Sequence, residues 1–412
     1  MREMKSSGFE WLGDIPNHWN LTKIGNLYRV RNQKVSDKDF PPLSVTMKGI
    51  LPQLETAAKT NDGDNRKLVR VGDFAINSRS DRRGSCGISA LNGSVSLINT
   101  VLMPLSEMNP QYYNWLFHTV QFADEYYKCG HGIVDDLWTT TWQEMRKIVI
   151  PTPPINEQEK IATYLDEKCA EIDGLIADIQ AQIDTLEQHK KSTIIEVVTK
   201  GLNPDVPMKD SGIQWIGKIP QMWNCIRGKY ILQYISKPTR EDDGVITCFR
   251  DGEVTLRSKR REDGFTMADK EIGYQGIDVG DLVVHGMDGF AGAIGISDSR
   301  GKASPVLNVL ETKQNKRYIM YFLRSMAYGD VFMALATGIR VRSCDLRWNK
   351  LAELFYPVPP IEEQNAIVEY IDRIISETNA IIATKKEQIS TLEAYKKSVI
   401  FEYVTGKKEV EQ

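Results

Sequence analysis

The chain has 412 residues, 41% of them hydrophobic and 26% charged, with a formal net charge of −3. This is the composition of a soluble globular protein with room for two or three domains, and it argues against a disordered or fibrous chain. No apolar run approaches the eighteen or so residues of a membrane span, the N-terminus lacks the apolar stretch of a secretory leader, and six scattered cysteines with no CxxC pair fit free thiols in a reducing cytoplasm.

Residues 7–19, SGFEWLGDIPNHW, return at 211–223 as SGIQWIGKIPQMW, with seven of thirteen positions identical. Short β-rich runs follow in each copy, such as GDFAINS and VSLINTVLMPL in the first and DLVVHGM and PVLNVLET in the second. VGDFAIN (71–77) aligns with VGDLVVH (279–285), and GIS at 87 with GIS at 295. A helix is predicted over NPQYYNWLFHTVQFADEYYK, with Asn109 as N-cap and Pro110 at the first helical position, and KRYIMYFLRSMAYGDVF fills the same place in the second copy.

A long helix is predicted next. It opens after Pro153-Pro154, with Asn156 and Glu159 in a capping-box spacing. Ile161, Leu165, Ile172, Ile176, Ile179, Ile183 and Leu186 form a seam of mostly alternating three and four spacing, and the helix ends near Gly201. IPTPPINEQEKIATYLDE (150–167) is answered by YPVPPIEEQNAIVEYIDR (356–373), and the second helix carries Ile367, Ile371, Ile375, Ile382, Ile389 and Leu392 before Gly406. Each helix has about 40 residues and is roughly 60 Å long. Stripes of that length are most simply buried against each other, antiparallel about a pseudo-twofold axis.

The chain is therefore a tandem duplication of a unit of about 200 residues, with an α+β fold class. The predicted organisation is a first globular domain (1–154), a first spacer helix (155–201), a linker (202–210), a second globular domain (211–360), a second spacer helix (361–406) and a tail (407–412).

Charge separates the parts. Residues 155–200 are net −5 and 361–412 net −3, so the remainder is +5. Basic side chains there cluster in predicted loops: Arg79, Arg82 and Arg83 in the first domain, and Arg257, Lys259, Arg260, Arg261, Arg340 and Arg342 in the second. One such cluster is ordinarily a solvated surface. Clusters in both copies point to a polyanion. Trp138, Tyr274, Phe290 and Trp348 lie near them in sequence, although aromatics of this kind are usually core.

Catalytic patterns fail on inspection. GIQWIGK (212–218) spells GxxxxGK, but Ile219 stands where Ser or Thr should hold magnesium, and the first copy has Asp14 in place of the lysine. The better reading is an apolar clip of Trp11, Ile15, Pro16 and Trp19, repeated as Trp215, Ile219, Pro220 and Trp223. HGMDGFAGAIG (285–295) is not GxGxxG, so its glycines serve tight turns or close backbone approach. The five histidines have no metal-ligand spacing, and Cys129 and His131 lack a third ligand. Asp166-Glu167-Lys168 mimics a fragment of a nuclease site but falls on the long helix, where such charges are usually solvated. No Asn-Pro-Pro-aromatic tetrapeptide of an amino-methyltransferase is present. The chain reads as non-catalytic.

Two units each built from SGxxWxGxIPxxW, an α+β domain, and PPIxEQxxI opening a long helix with LExxKKSxI resemble the specificity subunit of Type I restriction-modification enzymes, over the whole chain and in order. The resemblance implies two target-recognition domains, each reading half of a split sequence in double-stranded DNA, on an antiparallel helical spacer. It implies two modification (methyltransferase) subunits and restriction (motor-nuclease) subunits as partners, in adenine methylation and phage defence. S-adenosylmethionine, ATP and magnesium then belong to those partners, with no cofactor or metal in this chain and a cytoplasmic location. Base-reading residues cannot be carried over. The other readings are a coiled-coil protein-interaction scaffold without DNA, which salt dependence would distinguish, and a fused DNA enzyme, which activity of the chain alone would reveal.

Overall fold

The computed structural model describes residues 2–53, 62–79, 82–105, 108–132, 138–260, 272–335 and 346–410. The chain divides into two compact units, Met1–Gln180 with Lys386–Gln412 and Ala181–Lys385. The division falls inside the two long helices, so each unit contains segments of both.

In the first unit, four antiparallel strands lie in the order Cys86–Ile88, Phe74–Asn77, Asn99–Pro104, Tyr28–Val30. Helices α1 (Pro110–Phe117) and α2 (Val120–Lys128) cover one face and bury Tyr112, Tyr113, Phe117, Phe122 and Tyr126. Asn109 caps α1 by accepting from the Tyr112 amide at 3.0 Å. The single helix expected here is two. Thr119 adopts extended dihedrals and its hydroxyl caps α2 through the Phe122 amide, so the chain stops and restarts at His118–Thr119.

Helix α3 (Ile155–Lys200) begins where the sequence placed it, but not by a capping box. The Pro154 carbonyl accepts from the amides of Glu157 and Gln158, while Asn156 reaches only its neighbour's amide. Glu157, rather than Glu159, fastens the helix start. Its carboxylate accepts from the buried Trp19 indole at 2.9 Å and pairs with His18 and Arg2. Gln158 bonds the Pro153 carbonyl at 2.8 Å and the Asn109 amide at 2.9 Å, tying the same turn to α1.

The second unit repeats this. Its four-stranded antiparallel sheet runs Leu232–Ile235, Leu307–Thr312, Leu282–His285, Ile294–Ile296, the same order at corresponding positions. Helix α4 (Lys316–Tyr328) covers it, capped by Asn315. At the start of α5 (Ile361–Val404), Glu363 accepts from the buried Trp223 indole at 2.9 Å, and Gln364 bonds Pro359 at 2.8 Å and the Asn315 amide at 2.9 Å. The duplicated EQ pair and the duplicated tryptophan are thus the two halves of one joint.

Within each unit the helix segments run antiparallel. In the first, Tyr164 stacks near Tyr403 at 4.5 Å between centroids and Asp173 pairs with Lys396 at 2.7 Å. In the second, Gln182 accepts from Lys385 at 2.6 Å and Asn379 from Lys190 at 3.0 Å. The seam isoleucines and leucines named above are all buried or half-buried. Each domain also grips the incoming helix end. Tyr112 donates to the Val404 carbonyl at 2.7 Å, and Tyr318 to that of Val198 at 3.0 Å. Beyond these ends, Gly201 (φ 79°) and Gly406 (φ 72°) take the left-handed conformation that terminates a helix.

Asp166 is not a merely solvated charge. It accepts from Gln111 at 2.7 Å and from the Trp115 indole at 2.8 Å, and its counterpart Asp372 receives Arg317 and the Tyr321 hydroxyl at 2.6 Å each. This second duplicated joint fastens the sheet-covering helix of each domain to the long helix beside it.

Candidate nucleic-acid interface

In the first unit the basic loop follows strand Phe74–Asn77. The Arg79 amide donates to Asn77 Oδ1 at 3.1 Å and its backbone bridges Thr139, so this residue is half-buried. A turn closed by Gly84 (φ 73°) then lifts Arg82 and Arg83 to the surface. Arg83 pairs with Asp124 at 3.0 Å in an exposed contact and lies 5.4 Å from the Tyr127 ring centre. Trp138 is half-buried and donates to the Tyr127 carbonyl at 2.8 Å, which makes it a strut of this region.

In the second unit, strands Ile246–Cys248 and Val254–Leu256 form a hairpin that runs into the helical turn Arg257–Arg260. A cavity of about 570 Å³ opens beside it, lined by Thr247, Arg250, Arg257, Arg260, His285 and Asp288 among others. Arg257 donates to Thr247 Oγ1 at 2.9 Å. Arg260 grips both Asp251 oxygens at 3.0 and 2.7 Å and Glu253 at 2.7 Å, over the Phe249 ring at 4.0 Å. That bidentate pairing holds the Asp251 carboxyl below its usual range. Burial lowers His285, against the pull of Asp288. Lys259 does not line the cavity; it bonds Ser299 Oγ at 2.7 Å with Asp298 at 3.7 Å. Arg261, Arg340 and Arg342 lie outside the described residues. Phe290 and Trp348 pack partly buried against the second core.

Among the described residues no group of three or more His, Cys, Asp or Glu side chains could hold a metal ion. Burial pushes the Cys248 thiol up to about 12 and Cys86 higher still, so neither is a ready thiolate. The GxxxxGK segment joins strands Met208–Asp210 and Lys218–Pro220 of a hairpin, with Lys218 inside a strand, which is not the strand-to-helix turn of a phosphate loop. Among the described residues no helix is long and apolar enough to cross a membrane.

No family model matches the chain. It is 23% identical over 420 aligned residues to the Type I restriction enzyme MjaVIII specificity subunit of Methanocaldococcus jannaschii, covering 95% of this chain and 93% of that protein. It is 24% identical over 283 residues to the putative type I restriction enzyme MjaX specificity subunit of the same organism, covering 64% of this chain and 60% of that one. The chain thus resembles Type I specificity subunits over nearly its whole length. Two solved structures share the fold. One, from work on complex assembly and conformational transition of the type I R-M system, aligns with a TM-score of 0.67 at 14% identity over 96% of this chain and 99% of that one. The HsdS subunit from Thermoanaerobacter tengcongensis aligns with a TM-score of 0.50 at 15% identity over 98% of this chain and 100% of that one.

The framework is repeated in the two units while the surfaces differ. The sequence clusters capture Arg257 and Arg260 at one cavity but miss Arg250, which also lines it. Arg250 has no basic neighbour in sequence; the fold of the hairpin brings it there.

Proposed function

We propose that this chain is the non-catalytic, sequence-reading subunit of a Type I restriction-modification complex, and that each globular domain reads one half of a bipartite target in duplex DNA. The observation that carries the reading is a single mount built twice with different surfaces. The same strand order, the same Trp–Glu and Gln–Asn joints and the same helix grip recur. The basic groups differ, with Arg82 and Arg83 in one domain and Arg250 and Arg257 in the other. Two unlike half-sites require readers that share an attachment and diverge at the contact.

Lys and Arg contacts to phosphate set the position of each reader, and a few contacts to base edges specify sequence. Arg82, Arg83, Arg250 and Arg257 are the side chains proposed for these contacts. Arg260, already held by two carboxylates, positions the hairpin turn that carries Arg250 and Asp251. A chain of net charge −3 attracts DNA only locally, so modification subunits complete the clamp. They would supply S-adenosylmethionine and the methyl transfer to adenine, and motor-nuclease subunits the ATP and magnesium chemistry. The test is a titration of the chain, assembled with its methyltransferase partner, against a duplex DNA library over a salt series. Sequence-selective binding that weakens steeply with salt is expected. Salt-insensitive binding, or none, would defeat the reading.

A further inference from the structure

A second cavity, of about 720 Å³, lies in the second unit between α3 and the recognition domain. Its cations come from three separate elements: Lys190 and Lys191 from α3, Arg250 from the hairpin turn and Arg324 from α4. Lys191 Nζ lies 5.8 Å and the Arg324 guanidinium 5.6 Å from the centre of the same ring, Tyr328. Arg324 donates only to neutral acceptors, the Tyr328 hydroxyl at 2.9 Å and the Asp251 carbonyl at 2.6 Å. Among the described residues neither Lys191 nor Arg324 has an ion-pair partner. The carboxylates on the wall are mostly engaged, Asp251 with Arg260 and Glu187 with Lys190 at 2.8 Å, which leaves Asp330.

The internal duplication provides a control. The joints described above fix the correspondence at a shift of 206 residues, which sets Arg324 against His118, Lys190 against Lys396 and Asn379 against Asp173. In the first unit Asp173 neutralises Lys396 with both oxygens at 2.7 Å. In the second, Asn379 takes that place and accepts from Lys190 at 3.0 Å without a charge. Likewise a half-buried His118, its pKa lowered by burial, stands where Arg324 carries a full charge. Both differences make the second site more positive on an otherwise repeated frame.

We propose that this cleft is a phosphate-binding site, and that its occupant is a backbone phosphate of the duplex DNA held by the same recognition domain. Lys191 and Arg324 are its ligands, and Lys190, held between Glu187 and Asn379, borders it. The choice of DNA as the source rests on the function proposed above; the affinity for phosphate does not. Three elements converging on one anion would also couple the end of α3 to DNA occupancy of the second domain.

The test uses the full chain, assembled with its methyltransferase partner wherever DNA binding is measured. In one arm, duplex DNA binding is measured across a salt series for the wild type, for the double variant Lys191→Gln, Arg324→Gln, and for Asn379→Asp. The last is an exposed substitution that restores the carboxylate of the first unit and is not expected to disturb folding. Each lost phosphate contact should flatten the slope of log K against log salt by about 0.9. In the other arm, inorganic phosphate is titrated against thermal unfolding of the same proteins. Flattened slopes in both variants support a DNA phosphate site. Unchanged slopes, with phosphate stabilising the wild type but not the variants, would refute DNA as the occupant and retain a site for a free phosphate compound. Unchanged slopes without phosphate stabilisation overturn the site. A wild type that binds no DNA defeats the recognition function, and the phosphate arm then decides the cleft alone.

Discussion

Replacing each helix-terminal glycine with alanine is the sharpest test of the joint between long helix and domain, because two near-identical sites differ in one measurable respect. Gly406 and Gly201 have the same left-handed backbone, at φ 72° and 79°, so a side chain at either costs about 1–2 kcal/mol from backbone strain alone. Their surroundings differ. A Cβ on Gly406 would sit 2.5 Å from Pro16 and 2.8 Å from Trp19, both rigid rings of the buried clip. On Gly201 it would meet Glu363 Oε1 at 3.0 Å and Trp223 at 3.2 Å, contacts that shifts of a few tenths of an ångström relieve. Overpacking adds about 1–3 kcal/mol where neighbours cannot yield, so Gly406→Ala should cost roughly 2–5 kcal/mol and Gly201→Ala about 1–2 kcal/mol. Denaturant unfolding gives the totals, and hydrogen exchange at the amides around Trp19 and Trp223 assigns each loss to its unit. Equal losses, or a larger loss from Gly201→Ala, would refute the geometry assigned to the clip.

Other outcomes follow from the same contacts. Asp166→Ala should loosen α1, and Asp372→Ala α4, each by about 1 kcal/mol, since these bonds to a charged acceptor are partly exposed; faster exchange confined to the corresponding helix would confirm it. The Lys237 and Arg300 side chains hold the Asp278 carboxyl at about 2, against an ordinary 3.8. A depressed carboxylate stabilises above its unfolded value and loses that contribution as pH falls through the folded one. The stability gap between wild type and Asp278→Asn should therefore be full above about pH 4 and close toward pH 2, measured by denaturation across that range. Arg257→Ala should weaken binding of the assembled methyltransferase to its target, by about 1–3 kcal/mol if the contact is to a base edge. Arg260→Ala should instead act through disorder of the 249–253 turn, seen as faster exchange there without DNA.

Much of the framework was legible because it is written twice. The Pro-Pro stops, the EQ pairs and the terminal glycines bracket helices observed at Ile155–Lys200 and Ile361–Val404. The role of the repeated tryptophan was only half legible. Apolar spacing announces a clip, but that its indole meets a carboxylate about 140 residues away is a tertiary fact. Local propensity misled at two places. The apolar pattern across residues 109–128 runs through His118–Thr119, where a hydroxyl capping its own downstream amide breaks the helix. At the start of α3 the Asn156–Glu159 spacing imitates a capping box, while Glu157 is drawn off by Trp19, His18 and Arg2. Candidate contacts fared according to their origin. Arg257 and Arg260 lie three positions apart in one basic run and line the same cavity, whereas the cations of the α3 cleft lie on three elements with no common run.

The central claim is that two independent readers stand on one repeated mount. Exchanging residues 20–145 for the equivalent segment of another specificity subunit leaves the Trp19 clip, α3 and the whole second domain in place. Methylome sequencing of cells carrying the exchanged chain with its methyltransferase should show one half of the target changed and the other half kept. A change in both halves, in an assembled and active complex, would contradict it.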